Sequence, residues 1–88
     1  MDIAFDPAKD AQNIAKHGVS LARAADMDWS EAVILTDDRR DYGEVRYCAF
    51  GPIDGRLHVL TFTVRDGQIR AISLRKANQR EVKRHGKA

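Results

Sequence analysis

The stretch Ile69 to His85 reads I-R-A-I-S-L-R-K-A-N-Q-R-E-V-K-R-H, and its two halves predict different structures. The first half interleaves β-prone apolar residues with polar or small ones and favours a strand, whereas the half from Lys76 onward is basic and helix-prone. From Arg75 to Ala88 there are six Lys or Arg residues and one acid, Glu81, a local net charge of +5. We expect a strand that delivers a basic helix to one edge of a small sheet, where it presents cations to a polyanion.

The composition is typical of one globular domain. The chain has 88 residues, 43% hydrophobic and 32% charged, which suffices for one modest core, so we expect a single domain over residues 1–88. The longest mostly apolar run, Leu57 to Val64, is too short to span a bilayer, and the acidic start does not resemble a signal peptide. Cys48 is the only cysteine, which excludes an internal disulfide. These features predict a cytoplasmic protein without membrane association.

Charge is divided unevenly along the chain. Residues 1–55 carry six basic and eleven acidic residues, a net charge of −5, and residues 56–88 carry nine and two, a net charge of +7. This asymmetry favours a nucleic acid or an acidic protein as partner over a neutral metabolite. The alternative is that the two halves neutralise each other in the fold.

The predicted elements follow the order β-α-α-β-β-β-β-α, an α+β fold in which a small antiparallel sheet packs against helices. Asp6 as N-cap, Pro7 at the first helical position and Gly18 as C-cap delimit the first helix. The Asp66-Gly67 dipeptide predicts a tight hairpin. The predicted bounds are strand 2–5, helices 7–17 and 21–28, strands 32–35, 44–51, 57–64 and 69–74, and helix 76–85. The first helix is expected to bury Ala8, Ala11, Ile14 and Ala15.

Two sites in the first half of the chain suggest acid–base chemistry. His17 lies in the last turn of the first helix, where it can act as a general acid or base, or simply offset the helix dipole as a cation. Glu44 and Arg46 are two apart on a strand and so point to one face. They form either a structural ion pair or a base beside a phosphate clamp.

The basic end of the chain offers groups for binding phosphate. Guanidinium forks match phosphate oxygens, although most charge runs are solvated helix faces. Strand alternation places Arg70 opposite to Ser73 and Arg75 unless the strand twists or bulges. The other cations of this group are Lys76 and Arg80.

The histidines do not predict a metal site. His58 lies on the apolar strand and is interpreted as a core residue, whereas His85 near the terminus either frames a site or frays. No Asp, Glu or Cys companions stand at metal-ligand spacing. We therefore expect neither a metal nor a cofactor.

The ordered set of motifs along the chain resembles the BrnT family of type II toxin–antitoxin toxins. The motifs are I-A-F-D-P-A-K at 3–9 with Asn13 downstream, K-H-G-V-S-L at 16–21, D-D-R at 37–39, Y-G-E-V-R-Y at 42–47, and R-A-I-S-L-R-K-A at 70–77 followed by R-E at 80–81. None is decisive alone, but the set at these spacings spans nearly the whole chain.

The resemblance implies a RelE-like toxin fold and a metal-independent endoribonuclease that inhibits translation. It also implies a cognate BrnA-type antitoxin, encoded alongside, whose complex with the toxin binds operator DNA chiefly through the antitoxin. Such cleavage needs a base, an acid and cations. The residues assigned to catalysis are His17 or Glu44 as base with Arg46, Arg75 and Arg80 as phosphate stabilisers. The residues assigned to RNA binding are Lys16, Arg70, Lys76, Lys83, Arg84 and His85.

One position departs from the family pattern. Members commonly carry a tyrosine shortly after the R-E of the last helix, and this chain has Val82 to His85 there. His85 either replaces that tyrosine chemically or the position is unimportant. A second functional class therefore stays open, in which the protein has lost catalysis and serves as an antitoxin partner or corepressor. A DNA-binding protein in its own right is a distant third, because the sequence contains no recognisable reading helix.

Overall fold

A computed structural model describes residues 2–86, which form one five-stranded sheet, two α-helices and a 3-10 helix. The elements in chain order are β1 (Ile3–Ala4), α1 (Pro7–His17), the 3-10 helix (Leu21–Asp26), β2 (Val33–Asp37), β3 (Arg46–Ile53), β4 (Arg56–Arg65), β5 (Gln68–Lys76) and α2 (Gln79–His85). The strand order across the sheet is β1-β5-β4-β3-β2, so β4, which contains the longest mostly apolar run of the sequence, is central.

The sheet is mixed, which corrects the prediction of an antiparallel sheet. Strands β2 to β5 form an antiparallel meander, but β1 pairs parallel to β5, with Ile3 opposite Ile69. The alternation that predicts a strand carries no information about its partner, and here the first strand pairs with the last. The hairpin at Asp66-Gly67 is confirmed, since both residues have the positive φ of 54° and 74° that such a two-residue turn requires.

The first helix has the predicted bounds, and the other two differ. The Asp6 carboxylate accepts the Ala8 N–H at 2.9 Å, and Gly18 ends α1 with a left-handed φ of 73°. The second helix is a short 3-10 helix that ends at Asp26 rather than Asp28. The last helix begins later than predicted, because β5 continues to Lys76 and Asn78 then caps α2.

The buried face of α1 was predicted wrongly. Ala8, Ala11, Ile14 and Ala15 are all exposed, Ile14 by 46%, and the buried residue is Asn13. Its side-chain amide donates to the Leu74 carbonyl at 2.9 Å and accepts the Leu74 N–H at 3.1 Å. β1 is only two residues long and leaves this part of β5 without a strand neighbour on the side opposite β4. Asn13 therefore satisfies the backbone of the open edge, as a neighbouring strand would.

The apolar core lies between one face of the sheet, called the core face below, and the 3-10 helix. Leu21, Leu60 and Leu74 are its largest fully buried side chains. Gly51 permits close packing there, because a Cβ on it would lie 2.7 Å from the sulfur of Met27. The remaining buried members of this core are Ala24, Ala49, Ile53, Phe62 and Ala71.

A bulge in β5 changes which residues share a face. Thr61 pairs with Ser73 but Phe62 pairs with Ala71, so Ile72 is an extra residue opposite this step. The next pair joins Thr63 to Arg70, and Val59 pairs with Arg75 on the other side of the step. Because Val59, Thr61 and Thr63 alternate along β4, they and their partners share one face. Simple alternation along β5 would place Arg70 on the face opposite to Ser73 and Arg75. Because of the bulge, all three side chains point away from the core.

Candidate active site

The face of the sheet opposite the core, called the groove face below, carries an open groove of about 680 Å³. Strands β2 to β5 form its floor, the C-terminal end of α1 forms one wall and α2 forms another. Most of the side chains that project into it are polar or charged. The chemically relevant lining residues are Lys16, His17, Asp37, Arg39, Arg46, Cys48, Thr61, Ser73, Arg75, Glu81, Arg84 and His85.

Arg75 is held on the groove floor by Glu81 of α2. Its two terminal nitrogens donate to the two Glu81 oxygens at 2.7 and 2.8 Å, and the same carboxylate accepts the Asn78 N–H at 2.9 Å. The pair raises the pKa of Arg75 and lowers the pKa of Glu81 to about 2, with burial of each group acting in the opposite direction. A guanidinium fixed by a two-bond contact is oriented rather than free, and it keeps further N–H donors for another anion.

His17 enters the groove from the end of α1, where Gly18 terminates the helix. Partial burial is the largest cause that lowers its pKa, followed by the positive charges of Lys16 and Arg75. The lowered pKa keeps the imidazole uncharged at neutral pH, in the form that accepts a proton. The alternative role as a cation that offsets the helix dipole is therefore disfavoured.

A second fixed arginine stands at the β2 side of the groove. The Asp37 carboxylate is buried, with 2% of its side chain exposed, and accepts Arg39 Nε at 2.7 Å and a terminal Arg39 nitrogen at 2.8 Å. The Tyr42 hydroxyl donates to the same carboxylate at 3.1 Å. These hydrogen bonds, chiefly that from Arg39, hold the pKa of Asp37 at about 2. The Arg46 guanidinium lies 4.0 Å from the centre of the Tyr42 ring, in cation–π contact.

The sequence predicted no chemical role for Asp37, Arg39 or Tyr42. They fall in a polar connection dense in charge, which by composition is a solvated loop. One signal was available: Asp37 continues the strand that carries Val33 and Leu35, and alternation turns it to their face. That placement turns the Asp37 carboxylate toward the groove, but it does not predict burial, since Val33 and Leu35 on the same face are exposed.

Glu44 and Arg46 form the ion pair that sequence analysis left open. Glu44 accepts Arg46 Nε at 3.2 Å and a terminal nitrogen of Arg65 at 3.3 Å. Arg46 lines the groove, whereas Glu44 lies beyond it in an adjoining pocket. With two arginines already engaging it, this carboxylate is a less suitable base than His17.

The predicted RNA-binding residues of the last helix and strand are divided between locations. Arg84 and His85 line the groove, and the His85 ring stacks on Phe50 with centroids 4.0 Å apart. Lys83 is exposed on α2 outside it. Arg80, which was predicted as a catalytic phosphate stabiliser, is likewise exposed on α2 and does not line the groove, so its position does not fit that role. Lys76 is instead the cross-strand partner of His58. It lines a separate depression of about 510 Å³ at the far side of the sheet, away from the groove, which His17 also lines. Arg70 lies in the pocket beside the groove.

His58 has the properties of the core histidine that its position predicted. It is buried, and its Nδ1 lies 2.7 Å from the Arg56 carbonyl oxygen.

Within residues 2–86, no three His, Cys, Asp or Glu side chains come together in a way that could hold a metal ion. None of the helices in the same part of the chain is long and apolar enough to cross a membrane.

Comparison with known proteins assigns the chain to a family. The family model described as "Ribonuclease toxin, BrnT, of type II toxin-antitoxin system" matches residues 5–81. The match spans every strand except β1 and includes the groove residues up to Glu81. No curated protein sequence matches the chain significantly. The chain therefore belongs to the BrnT family of type II toxin–antitoxin systems, ribonuclease toxins that have RNA as target and an antitoxin protein as partner.

Proposed function

We propose that this protein is a metal-independent endoribonuclease whose active site is the groove, and that it inhibits translation by cleaving RNA there. One observation carries the proposal. His17 and Arg75, which Glu81 orients, line the same groove, and the positive charge of Arg75 is among the causes that lower the pKa of His17. Phosphodiester cleavage by an internal hydroxyl needs both kinds of group.

The reaction is an attack of the ribose 2′-oxygen on the neighbouring phosphorus. The P–O bond to the 2′-oxygen forms and the P–O bond to the 5′-oxygen breaks, which leaves a 2′,3′-cyclic phosphate and a 5′-hydroxyl. His17 removes the proton from the 2′-hydroxyl. His85, the second histidine in the groove, gives a proton to the departing 5′-oxygen and so takes the place of the family tyrosine.

The groove arginines stabilise the negative charge that accumulates on the phosphate oxygens. Arg75 is held by Glu81, Arg39 by Asp37, and Arg46 is stacked on Tyr42, so each of these arginines already has a partner that positions it. Cations that are already in place where charge develops lower the barrier more than mobile ones. Lys16 and Arg84 at the groove walls position the backbone, and the exposed Arg80 and Lys83 attract RNA from outside the groove.

The chemistry is tested by identifying the ends of the cleavage products and by removing the 2′-hydroxyl from the substrate. A long RNA is incubated with the purified protein and a chelator, with and without ribosomes, and cleaved sites are mapped. We expect fragments with 2′,3′-cyclic phosphate ends. An oligonucleotide with a 2′-deoxy residue at the mapped site should remain intact. Cleavage of that oligonucleotide, or its dependence on added metal, would contradict the mechanism.

A second function is favoured by two features of the last helix. Glu81 already occupies two donors of Arg75, and residues 82–85 lack the tyrosine common in the family. Both are compatible with a protein that has lost catalysis and acts as a partner-holding corepressor. Its signature would be no cleavage by the wild type, even with ribosomes, together with unimpaired antitoxin binding.

For regulation, we propose that a cognate BrnA-type antitoxin neutralises the toxin sterically. An acidic or extended antitoxin segment would lie over the basic surface from Arg75 to Arg84, and the complex would bind operator DNA through the antitoxin. Hydrogen exchange of the complex should then show protection at α2 and the end of β5, and a complex that leaves them unprotected would refute this.

We also propose that the fold is RelE-like, because its antiparallel meander packed against helices is similar to that fold.

A further inference from the structure

A small pocket of about 170 Å³ adjoins the groove on the same face of the sheet. Arg46 and Ile72 line both cavities, so the two adjoin each other. The pocket's charged and polar lining residues, which define what is called the flanking pocket below, are Asp6, Lys9, Glu44, Arg46, Thr63, Arg65 and Arg70.

The two acids of the flanking pocket are already engaged. Glu44 accepts hydrogen bonds from Arg46 and Arg65, and the Asp6 carboxylate caps α1 by accepting the Ala8 N–H. Arg70 and Lys9, in contrast, have no acidic partner among residues 2–86. Arg70 is also half-buried. A guanidinium that is partly desolvated and unpaired favours binding of an anion at that position.

The bulge at Ile72 places this unpaired arginine in line with the active site. Arg70 and Arg75 point to the same face of β5 and are separated by on the order of 15 Å along the strand. An RNA backbone that presents one phosphate to Arg75 reaches Arg70 only after further nucleotides. The flanking pocket is therefore suited to another phosphate of the same strand.

We propose that the flanking pocket is a binding subsite for a phosphate of the RNA strand outside the scissile bond, with Arg70 and Lys9 as its ligands. The substrate is then a single strand several nucleotides long, and a dinucleotide is a poor substrate because it cannot reach the subsite. This inference rests on the proposed endoribonuclease function.

The test uses oligonucleotides with one ribonucleotide at a mapped cleavage site and 2′-deoxy residues elsewhere, lengthened one nucleotide at a time on either side. For the wild type, we expect kcat/KM to rise about tenfold at one length on one side, the increment of a well-placed phosphate contact. In Arg70→Ala and Lys9→Ala that rise should fall below about twofold, chiefly through KM. The salt dependence should also weaken by about 0.7 in the logarithmic slope, as for one lost contact to a single strand.

Arg56→Ala is the matched control, because Arg56 is an exposed arginine that lines the depression at the far side of the sheet and neither cavity of the groove face. It should keep the full rise with length. A rise that persists in Arg70→Ala, or that Arg56→Ala abolishes equally, overturns the subsite. If the wild type cleaves nothing, the same length series in all-deoxy form is titrated by fluorescence anisotropy. A length step in affinity that Arg70→Ala removes then supports the subsite while the proposed catalysis fails, and its absence refutes the subsite as well.

Discussion

The two faces of the sheet share strands β2 to β5 but differ in what holds their side chains in place. On the core face, Leu60 and Leu74 are fully buried against the 3-10 helix. On the groove face, their neighbours Thr61, Ser73 and Arg75 are half-buried and line an open cavity. Alternate residues of one strand thus serve two purposes, because successive side chains point to opposite faces. The core face therefore contributes most of the stability of the fold, whereas the groove face carries the side chains proposed to act in catalysis.

The groove face combines a small apolar cluster of Phe50, Val59 and Ala77 with charged hydrogen bonds that hold its arginines. Asp37 orients Arg39, and Glu81 orients Arg75, each through two hydrogen bonds. Such pairs contribute modestly to stability when partly exposed. Their main consequence is that two guanidinium groups are held in position around a cavity that remains open to a ligand.

Adjacent residues of β5 give the strongest test of this division. Leu74→Ala should lower the free energy of unfolding by about 2–5 kcal/mol, because it removes a fully buried side chain and leaves a cavity. Ser73→Ala, one residue away on the groove face, should change it by less than about 0.5 kcal/mol. Urea unfolding followed by circular dichroism measures both. Similar losses in the two variants would break the comparison.

Arg75 and Lys76 provide the corresponding test for activity. Sequence analysis grouped them, but the structure places Arg75 in the groove and Lys76 at the far side of the sheet. Arg75→Ala should reduce RNA cleavage by about 100-fold or more, since it removes a fixed donor to the developing charge. Lys76→Ala should reduce the rate of RNA cleavage much less. The measurement is the initial rate of cleavage of one labelled RNA, after circular dichroism has shown that each variant is folded. Equal losses of cleavage rate in the two variants would contradict the assignment of Arg75 and Lys76 to different faces.

The pH dependence of cleavage tests the role of His17. Because burial, Lys16 and Arg75 lower its pKa, the proton-accepting form should persist below the ordinary value of 6.5. The rate should therefore fall on acidification with a midpoint below 6.5, and His17→Ala should lose this acidic limb along with about 100-fold in rate. An acidic limb that survives unchanged in His17→Ala would assign the base elsewhere.

The smallest expected effect concerns stability in acid. Asp37 and Glu81 have pKa values of about 2, below their ordinary values of 3.8 and 4.5. Since the folded-state pKa is the lower one, both pairs stabilise the protein above these ordinary values, and the contribution is lost as pH falls toward 2. Urea unfolding at pH 7, 4 and 2.5 should show this loss in the wild type and less of it in Asp37→Asn. Identical pH profiles would mean that the pair does not stabilise the fold.

Local chemistry made much of the fold predictable. Asp6, Pro7 and Gly18 fixed the ends of α1, and Asp66-Gly67 fixed the β4–β5 hairpin. These signals act over a few residues, so they can be read without knowing the rest of the structure.

What could not be predicted depends on partners distant in sequence. Asn13 is buried because it bonds the free edge of β5, a contact between residues 61 positions apart. Likewise, the alignment of Arg70 with Arg75 depends on the bulge at Ile72, and alternation alone predicts the opposite arrangement. In the candidate site, His17 and Arg75 were identified by residue type. The Asp37–Arg39 pair joins residues only two positions apart, but the burial of Asp37 depends on the folded sheet and could not be read from the local sequence.

The most direct test of the central claim is RNA cleavage by the purified protein in the presence of a chelator, with Arg75→Ala and Arg56→Ala measured in parallel. Both variants remove one arginine, but Arg75 lies on the groove face and Arg56 lines the depression at the far side of the sheet. The account predicts cleavage by the wild type and Arg56→Ala, and a loss of about 100-fold in a folded Arg75→Ala. Undiminished cleavage by Arg75→Ala, or no cleavage by the wild type even with ribosomes, would contradict it.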